Sequence, residues 1–229
     1  VEVAGPTLTL RYATADDADA LFALASDPEV TRFFSWGPYR DRGEPRAYIE
    51  RLAGERARGD QLDLLIVHRV DGPIGVTGLS ELSRRDRRAV VGTWLGRRWW
   101  GSGANRESKA LVARLGFERL GLERIGAYAD VENGRSQRAL ERIGFVREGT
   151  LRRWHRHGDA VHDVVLFSLL RAEFAGSPLA ALPAQVRGEP PEAFVVAPAA
   201  LPGQASGGEA GGGVTGAGSA PSSSGVIGG

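Results

Sequence analysis

The sequence predicts an α/β domain: a mixed, mostly antiparallel central sheet of about seven strands, flanked by helices. Three observations predict it. The front half carries apolar runs of strand length joined by tight turns, as hairpins need. The back half alternates strands with amphipathic helices, as crossovers between parallel strands need. The apolar share, 42%, is that of an ordinary globular chain.

Taken in order, Leu8, Leu10 and Tyr12 alternate as a first strand. Asp16 to Ser26 follows as a helix with Ala20, Leu21, Leu24 and Ala25 on one side, and Glu44 to Arg58 repeats the spacing with Tyr48, Ile49, Leu52 and Ala53. Three strands come next, Leu62 to Val70, Ile74 to Leu82 and Ala89 to Leu95. Asp71-Gly72, followed by Pro73, is a strong hairpin turn between the first two. A glycine-rich turn opens a helix from Gly103 to Leu120, which ends near Gly121. Arg124 to Val131 is then a strand, Asn133 to Ile143 a helix, and Phe145 to Leu151 and Val161 to Leu169 the closing strands.

Composition narrows the function classes. The 229 residues contain no cysteine, which excludes disulfides, thiolate metal sites and a cysteine nucleophile. Lysine and arginine total 29 against 28 acids, so no overall field favours nucleic acid or a membrane surface, and neither is expected as a partner. No apolar run approaches the ~20 residues of a membrane span, and Val1 to Ala15 lacks the features of a secretory signal. A cytoplasmic protein is expected. Beyond Phe174 the chain turns to Ala, Pro, Gly and Ser, which bury too little apolar surface to offset ordering. The domain is therefore placed at 1–174 and a disordered tail at 175–229, with the apolar patch Phe194-Val195-Val196 read as part of that solvated tail.

The richest segment is Trp94-Leu95-Gly96-Arg97-Arg98-Trp99-Trp100-Gly101-Ser102-Gly103-Ala104-Asn105. It lies between a strand and a helix. Glycines let backbone approach a ligand closely, and the unpaired amides of a helix's first turn favour an anion. Arg97, Arg98, Arg106 and Lys109, the one lysine in the chain, add positive charge, so the segment suits a pyrophosphate. A Walker loop needs Gly-Lys-Ser/Thr, which is missing, and a dinucleotide fingerprint needs a third glycine where Arg106 stands. The plain alternative is a tight turn edged with solvated arginines. Downstream, Ser136, Ala139, Leu140 and Ile143 share one helix face behind Asn133. By itself that pattern also reads as an Asn133 N-cap that Ser136 joins.

Arg98-x-x-Gly101-x-Gly103 resembles the Arg/Gln-x-x-Gly-x-Gly/Ala coenzyme A turn of the GNAT superfamily. Arg87 to Gly96 ahead of it, Glu107 behind it, and Asn133-x-x-Ser136 running on to Glu141-Arg142-Ile143-Gly144-Phe145 are similar to the RimJ/RimL-type N-terminal acetyltransferases. The resemblance spans roughly Thr7 to Leu170 and implies the GNAT fold, acetyl-coenzyme A as cosubstrate and no metal. It places Leu95, Arg97, Arg98, Gly101, Ser102, Gly103, Ala104, Asn105 and Asn133 on the coenzyme, Asn133 at its pantetheine arm. It implies Ser136 as the acid that protonates the departing thiolate, and a backbone N–H in Thr93–Leu95 as the group that polarises the thioester.

Trp154-His155-Arg156-His157 stands about where the family carries a glutamate base, so His155 is the first candidate for that role and Glu81 the second. An α-amine, with a pKa of ~8 against ~10.4 for a lysine side chain, needs only a weak base. The acceptor wall is assigned to Phe33, Phe34, Trp36, Tyr39 and Trp154. His162-Asp163 is read as structural, His68 as a strand-face residue, and Arg84, Arg85 and Arg87 as a solvated turn. A peptide α-amine is placed ahead of a small-molecule amine such as an antibiotic or polyamine. A non-catalytic acyl-coenzyme A-binding domain is the competing class. A monomer or homodimer is expected.

Overall fold

A computed structural model describes residues 1–196. Their strands are β1 (Glu2–Ala4), β2 (Leu8–Arg11), β3 (Gln61–His68), β4 (Gly72–Ser83) and β5 (Arg88–Leu95), then β6 (Arg124–Asp130), β7 (Val146–His157), β8 (Ala160–Leu170) and β9 (Gln185–Arg187). The helices are α1 (Ala18–Ala25), α2 (Pro28–Thr31), α3 (Gly43–Arg58), α4 (Ala104–Arg114), α5 (Gly134–Arg142) and α6 (Arg171–Phe174). The strands form one sheet in the order β7-β8-β6-β5-β4-β3-β2-β1-β9. Every neighbouring pair is antiparallel except β5 and β6.

Strand alternation assigns the two faces. Ala89, Val91 and Leu95 of β5 join the core beneath α4 and α5, while Trp94 joins Leu21, Tyr48, Leu52 and Val76 beneath α1 and α3. Helix α3 stops at Gly59, whose φ of +80° puts its amide back on the carbonyls of Glu55 and Arg56. Helix α4 is tied to β2 by Glu107. Its buried carboxylate accepts from the amides of Thr7 (2.7 Å) and Leu8 (2.8 Å) and from the Thr7 hydroxyl (2.6 Å).

The sheet has nine strands rather than seven. Strands β1 and β9 hold three residues each, too few to display alternation, and they pair with each other across most of the chain length. The C-terminal boundary also moves. Beyond Phe174, Leu179 and Phe194 are fully buried and Val196 nearly so. Arg84, expected in a solvated turn, donates to the carbonyls of Glu192, Ala193 and Val195. Arg87 donates to Gly121 O at 2.9 Å, and Val196 N to Leu120 O at 2.8 Å. Residues 175–196 thus pack on the domain, because sparse apolar anchors and backbone bonds suffice where bulk composition does not. The rest of the expected tail, 197–229, lies outside the described residues. No helix among the described residues is long and apolar enough to cross a membrane.

The feature that matters for a site is the β5–β6 pair. Its register covers only Arg88↔Arg124, Ala89↔Ile125 and Val90↔Gly126. Past those pairs β5 runs on to Leu95 and β6 to Asp130 without bonding each other, so the sheet opens into a wedge. Replacing Phe194 by Ala should lower the unfolding free energy by about 3 kcal/mol in urea denaturation, as for a buried aromatic in a core. No change would mean that 175–196 is not part of the cooperative unit.

Candidate functional site

A cleft of about 430 Å³ occupies the wedge. Its walls come from Thr93, Trp94 and Leu95 of β5, from Trp99, Trp100, Gly101, Gly103 and Asn105 in the following turn, and from Asn133, Ser136, Ala139 and Ile143 around α5. The two motifs, far apart in sequence, therefore face one space. Arg97, Arg98, Ser102 and Ala104 lie in the same turn but off this wall. Arg98 turns to Asp71 (2.6 Å), Ser102 bonds the carbonyl of Trp99 (2.8 Å), and Ala104 is buried. Arg106, Arg135 and Arg142 supply the cleft's positive charge instead.

The turn is built for close approach. Gly101 and Gly103 have φ of +78° and +94°, a region that favours glycine, and a Cβ added at either would point into open space. Among the described residues the amides of Gly101, Gly103, Asn105 and Arg106 donate to no protein acceptor. Four unpaired N–H groups at the N-terminus of an eleven-residue helix make an anion cradle. Trp100 holds the turn against the strand, its indole donating to Leu95 O at 3.0 Å, while the Arg135 guanidinium stacks 3.4 Å over its ring.

Asn133 caps α5 by accepting from the Ser136 amide at 3.1 Å, as the structural alternative anticipated. The cap uses only its oxygen, and among the described residues no protein atom accepts from its side-chain NH₂. The Ser136 hydroxyl likewise has no protein partner among the described residues and its residue lines the cleft. The cap is therefore present, and it leaves the Asn133 NH₂ and the Ser136 hydroxyl without a partner among the described residues.

Trp94 is shared with a second hollow of about 330 Å³ on the α3 side, walled by Trp36, Tyr39, Tyr48, Arg51 and Gln61. Phe33 and Phe34 line the first cleft, while Trp36 and Tyr39 line the second. The rings of Phe34, Trp36 and Tyr39 follow one another at about 5.5 Å, and Trp36 meets Trp94 edge-on at 5.6 Å. Trp154 stands apart on β7, half exposed, 6.0 Å from the Tyr128 ring. Behind Tyr48 lies Asp63, wholly buried. It accepts from Tyr48 (2.5 Å) and Gln61 (2.7 Å), and burial pushes its carboxyl up to about 7.

The two base candidates converge on a residue that sequence reading missed. Tyr128 donates to Glu81 Oε2 at 3.1 Å, and its ring meets His155 edge-on at 5.4 Å. Burial, then the charge of Glu81, raises the phenol to about 12, so it stays protonated. Burial, then His157, lowers His155 below its ordinary value, so the imidazole is neutral at neutral pH. His162 lies 3.1 Å from Asp130, and Asp163 accepts from the Arg153 amide (2.7 Å), so both are structural. His68 ends β3 against Asp71 and Trp99. Alternation along β6 places Tyr128 on the face opposite Ala127 and Ala129, buried with Val90 and Val164, but only the fold brings Glu81 and His155 to it.

Comparison with known proteins places the chain in a family. Residues 7–146 match the family model described as acetyltransferase (GNAT) domain. The chain is 35% identical over 170 residues to "Uncharacterized N-acetyltransferase p20" of Bacillus licheniformis, covering 74% of this chain and 96% of that protein. It is 34% identical over 107 residues to "Putative ribosomal N-acetyltransferase YdaF" of Bacillus subtilis (strain 168), covering 46% of this chain and 58% of that one. The T. thermophilus structure described as "Crystal structure of putative acetyltransferase" superposes with a TM-score of 0.68 at 34% identity, covering 76% of this chain and 92% of that one.

Gly103→Ala should weaken coenzyme A binding about tenfold by calorimetry, since an L side chain at this φ costs roughly 1–2 kcal/mol. Unchanged affinity would remove the turn from the binding surface.

Proposed function

The chain belongs to the GNAT acetyltransferase family and is an acetyl-coenzyme A-dependent N-acetyltransferase, and from that premise we propose that it acetylates the α-amine of a peptide or protein. The observation that carries the proposed site is the meeting of two sets of free groups in one cleft. Unpaired amides of the turn before α4 face the unpartnered Ser136 hydroxyl across the opening between β5 and β6.

The residues present fit an acyl-coenzyme. The cradle formed by Gly101, Gly103, Asn105 and Arg106 suits its phosphates, and the free amide of Asn133 suits the amides of its pantetheine arm. When bound, the coenzyme supplies a thioester as the activated acetyl group. Along the unpaired length of β5, main-chain N–H groups are available to polarise a carbonyl. Ser136 gives its proton to the leaving sulfur and regains one from solvent. Beside Tyr128, the neutral His155 imidazole accepts the proton that the amine releases. Glu81, held by Tyr128, orients that aromatic and is the second base candidate.

The likeness to YdaF supports an acceptor borne on a protein. The aromatic hollow of about 330 Å³ beside the cleft suits the first residue of a peptide. Its compactness equally favours a small hydrophobic amine, which is the second reading. A thiol-release assay against N-terminal peptides and amine antibiotics separates them. Peptide-dependent release supports the proposal, release with small amines alone supports the second reading, and tight coenzyme binding without any release would leave a binding domain.

Ser136→Ala should lower kcat more than about tenfold with little change in coenzyme affinity. For the base, the sign follows from the lowered His155 value. Wild-type kcat/KM should fall as pH drops through a value below ~6.5. His155→Ala should lose most activity above that point, with the gap closing in acid. A constant ratio across pH would remove His155 from proton transfer.

A further inference from the structure

Lys109, the chain's single lysine, takes no part in the chemistry above, yet it lies directly behind the cleft wall. It projects from α4 into the core and is almost completely buried. Its Nζ donates to Thr93 Oγ1 at 2.8 Å. Thr93 and Thr77 share a proton at 2.7 Å, and the Thr77 hydroxyl donates to Gly92 O at 3.1 Å. Each hydroxyl has one proton, so the chain has one direction: Lys109 to Thr93, Thr93 to Thr77, Thr77 to the main chain of β5. Thr93 is part of the cleft wall on the unpaired stretch of β5.

This amine has no counter-ion among the described residues. Among the described residues it forms no ion pair, and Glu107 on its own helix is engaged by Thr7 and Leu8. The charged groups of the elements packed against α4 are committed elsewhere. Arg11 binds Asp17, Glu81 receives Tyr128, Arg88 lies by Asp86, Glu2 by Arg187, Glu118 binds Arg114, and Arg119 lies by Glu189. Desolvation alone lowers the ammonium to about 7. An amine so placed responds to any anion brought near it. It lies five residues beyond the start of α4, about 8 Å along the axis from the anion cradle. At that range each phosphate charge raises an amine by about one pKa unit in a protein interior.

We propose that Lys109 is an electrostatic positioning residue for acyl transfer: it takes up a proton as the anionic coenzyme enters, and the resulting ammonium, acting through Thr93, fixes the open end of β5 and sets a positive charge behind the leaving thiolate. The proton comes from solvent and returns there when product leaves. The inference rests on the cleft's being the coenzyme site.

Because the chain has one lysine, ¹⁵N-lysine labelling of the full protein gives a single Nζ signal that needs no variant. A pH titration of that signal, with and without coenzyme A, reads the charge directly. The expected result is a midpoint near neutrality in the free protein, raised by about one unit or more with coenzyme bound. Identical midpoints with coenzyme bound would overturn the proposal, whereas no coenzyme binding at all would overturn the cleft assignment instead. Lys109→Met should lower kcat about tenfold while leaving KM for the amine near wild type and flattening the neutral limb of the pH profile. An unaltered kcat and profile would show that the amine only fills space.

Discussion

The whole site depends on one constraint, the early parting of β5 and β6. These are the one parallel pair in the sheet, and they bond through three residue pairs only. A fully paired neighbour would consume the amides and carbonyls that now border the cleft, since buried backbone groups must find partners. The parting is held from both ends. Trp100 takes up the Leu95 carbonyl on the β5 side, and Asp130 at the end of β6 is occupied by Glu132 and His162.

The sheet borders two different hollows because alternate residues of a strand face opposite ways. Thr93 and Leu95 look toward α4, whose first turn forms the anion cradle, while Trp94 looks toward α1 and α3 and the aromatic hollow. A single strand thus helps to wall a hollow on each face. Ser136 reaches the gap from α5, and Tyr128 arrives from β6 on the opposite face with Glu81 and His155 around it.

Buried polar groups show where stability has been given up. Asp63 and Lys109 are both deep in the protein, on opposite faces of the sheet, and neither has an ionic partner among the described residues. Burial drives both toward their neutral forms, the carboxyl upward and the amine downward. Glu107, by contrast, is fully hydrogen-bonded and serves as a joint between α4 and β2. The difference separates a carboxylate that ties two elements together from ionisable groups that burial holds near their neutral forms.

Local pattern alone determined the elements with strong periodicity: α3 and α4, the β3–β4 hairpin at Asp71-Gly72, and the glycine turn, whose backbone needs are written in residues 101–103. It also marked Asn133 and Ser136, because a cap and an inward hydroxyl follow from helical spacing. Tertiary structure decided what spacing does not encode. The pairing of β1 with β9 and the burial of Phe194 join segments nearly the whole chain apart. It sent Arg98 to Asp71 and brought Arg135 over Trp100, since long flexible side chains settle by charge partners near in space. It gathered Glu81, Tyr128 and His155 from three strands, and placed a lone lysine behind Thr93. Periodicity tells which face of an element is apolar, but the polar atom a side chain meets depends on how distant strands come to lie side by side.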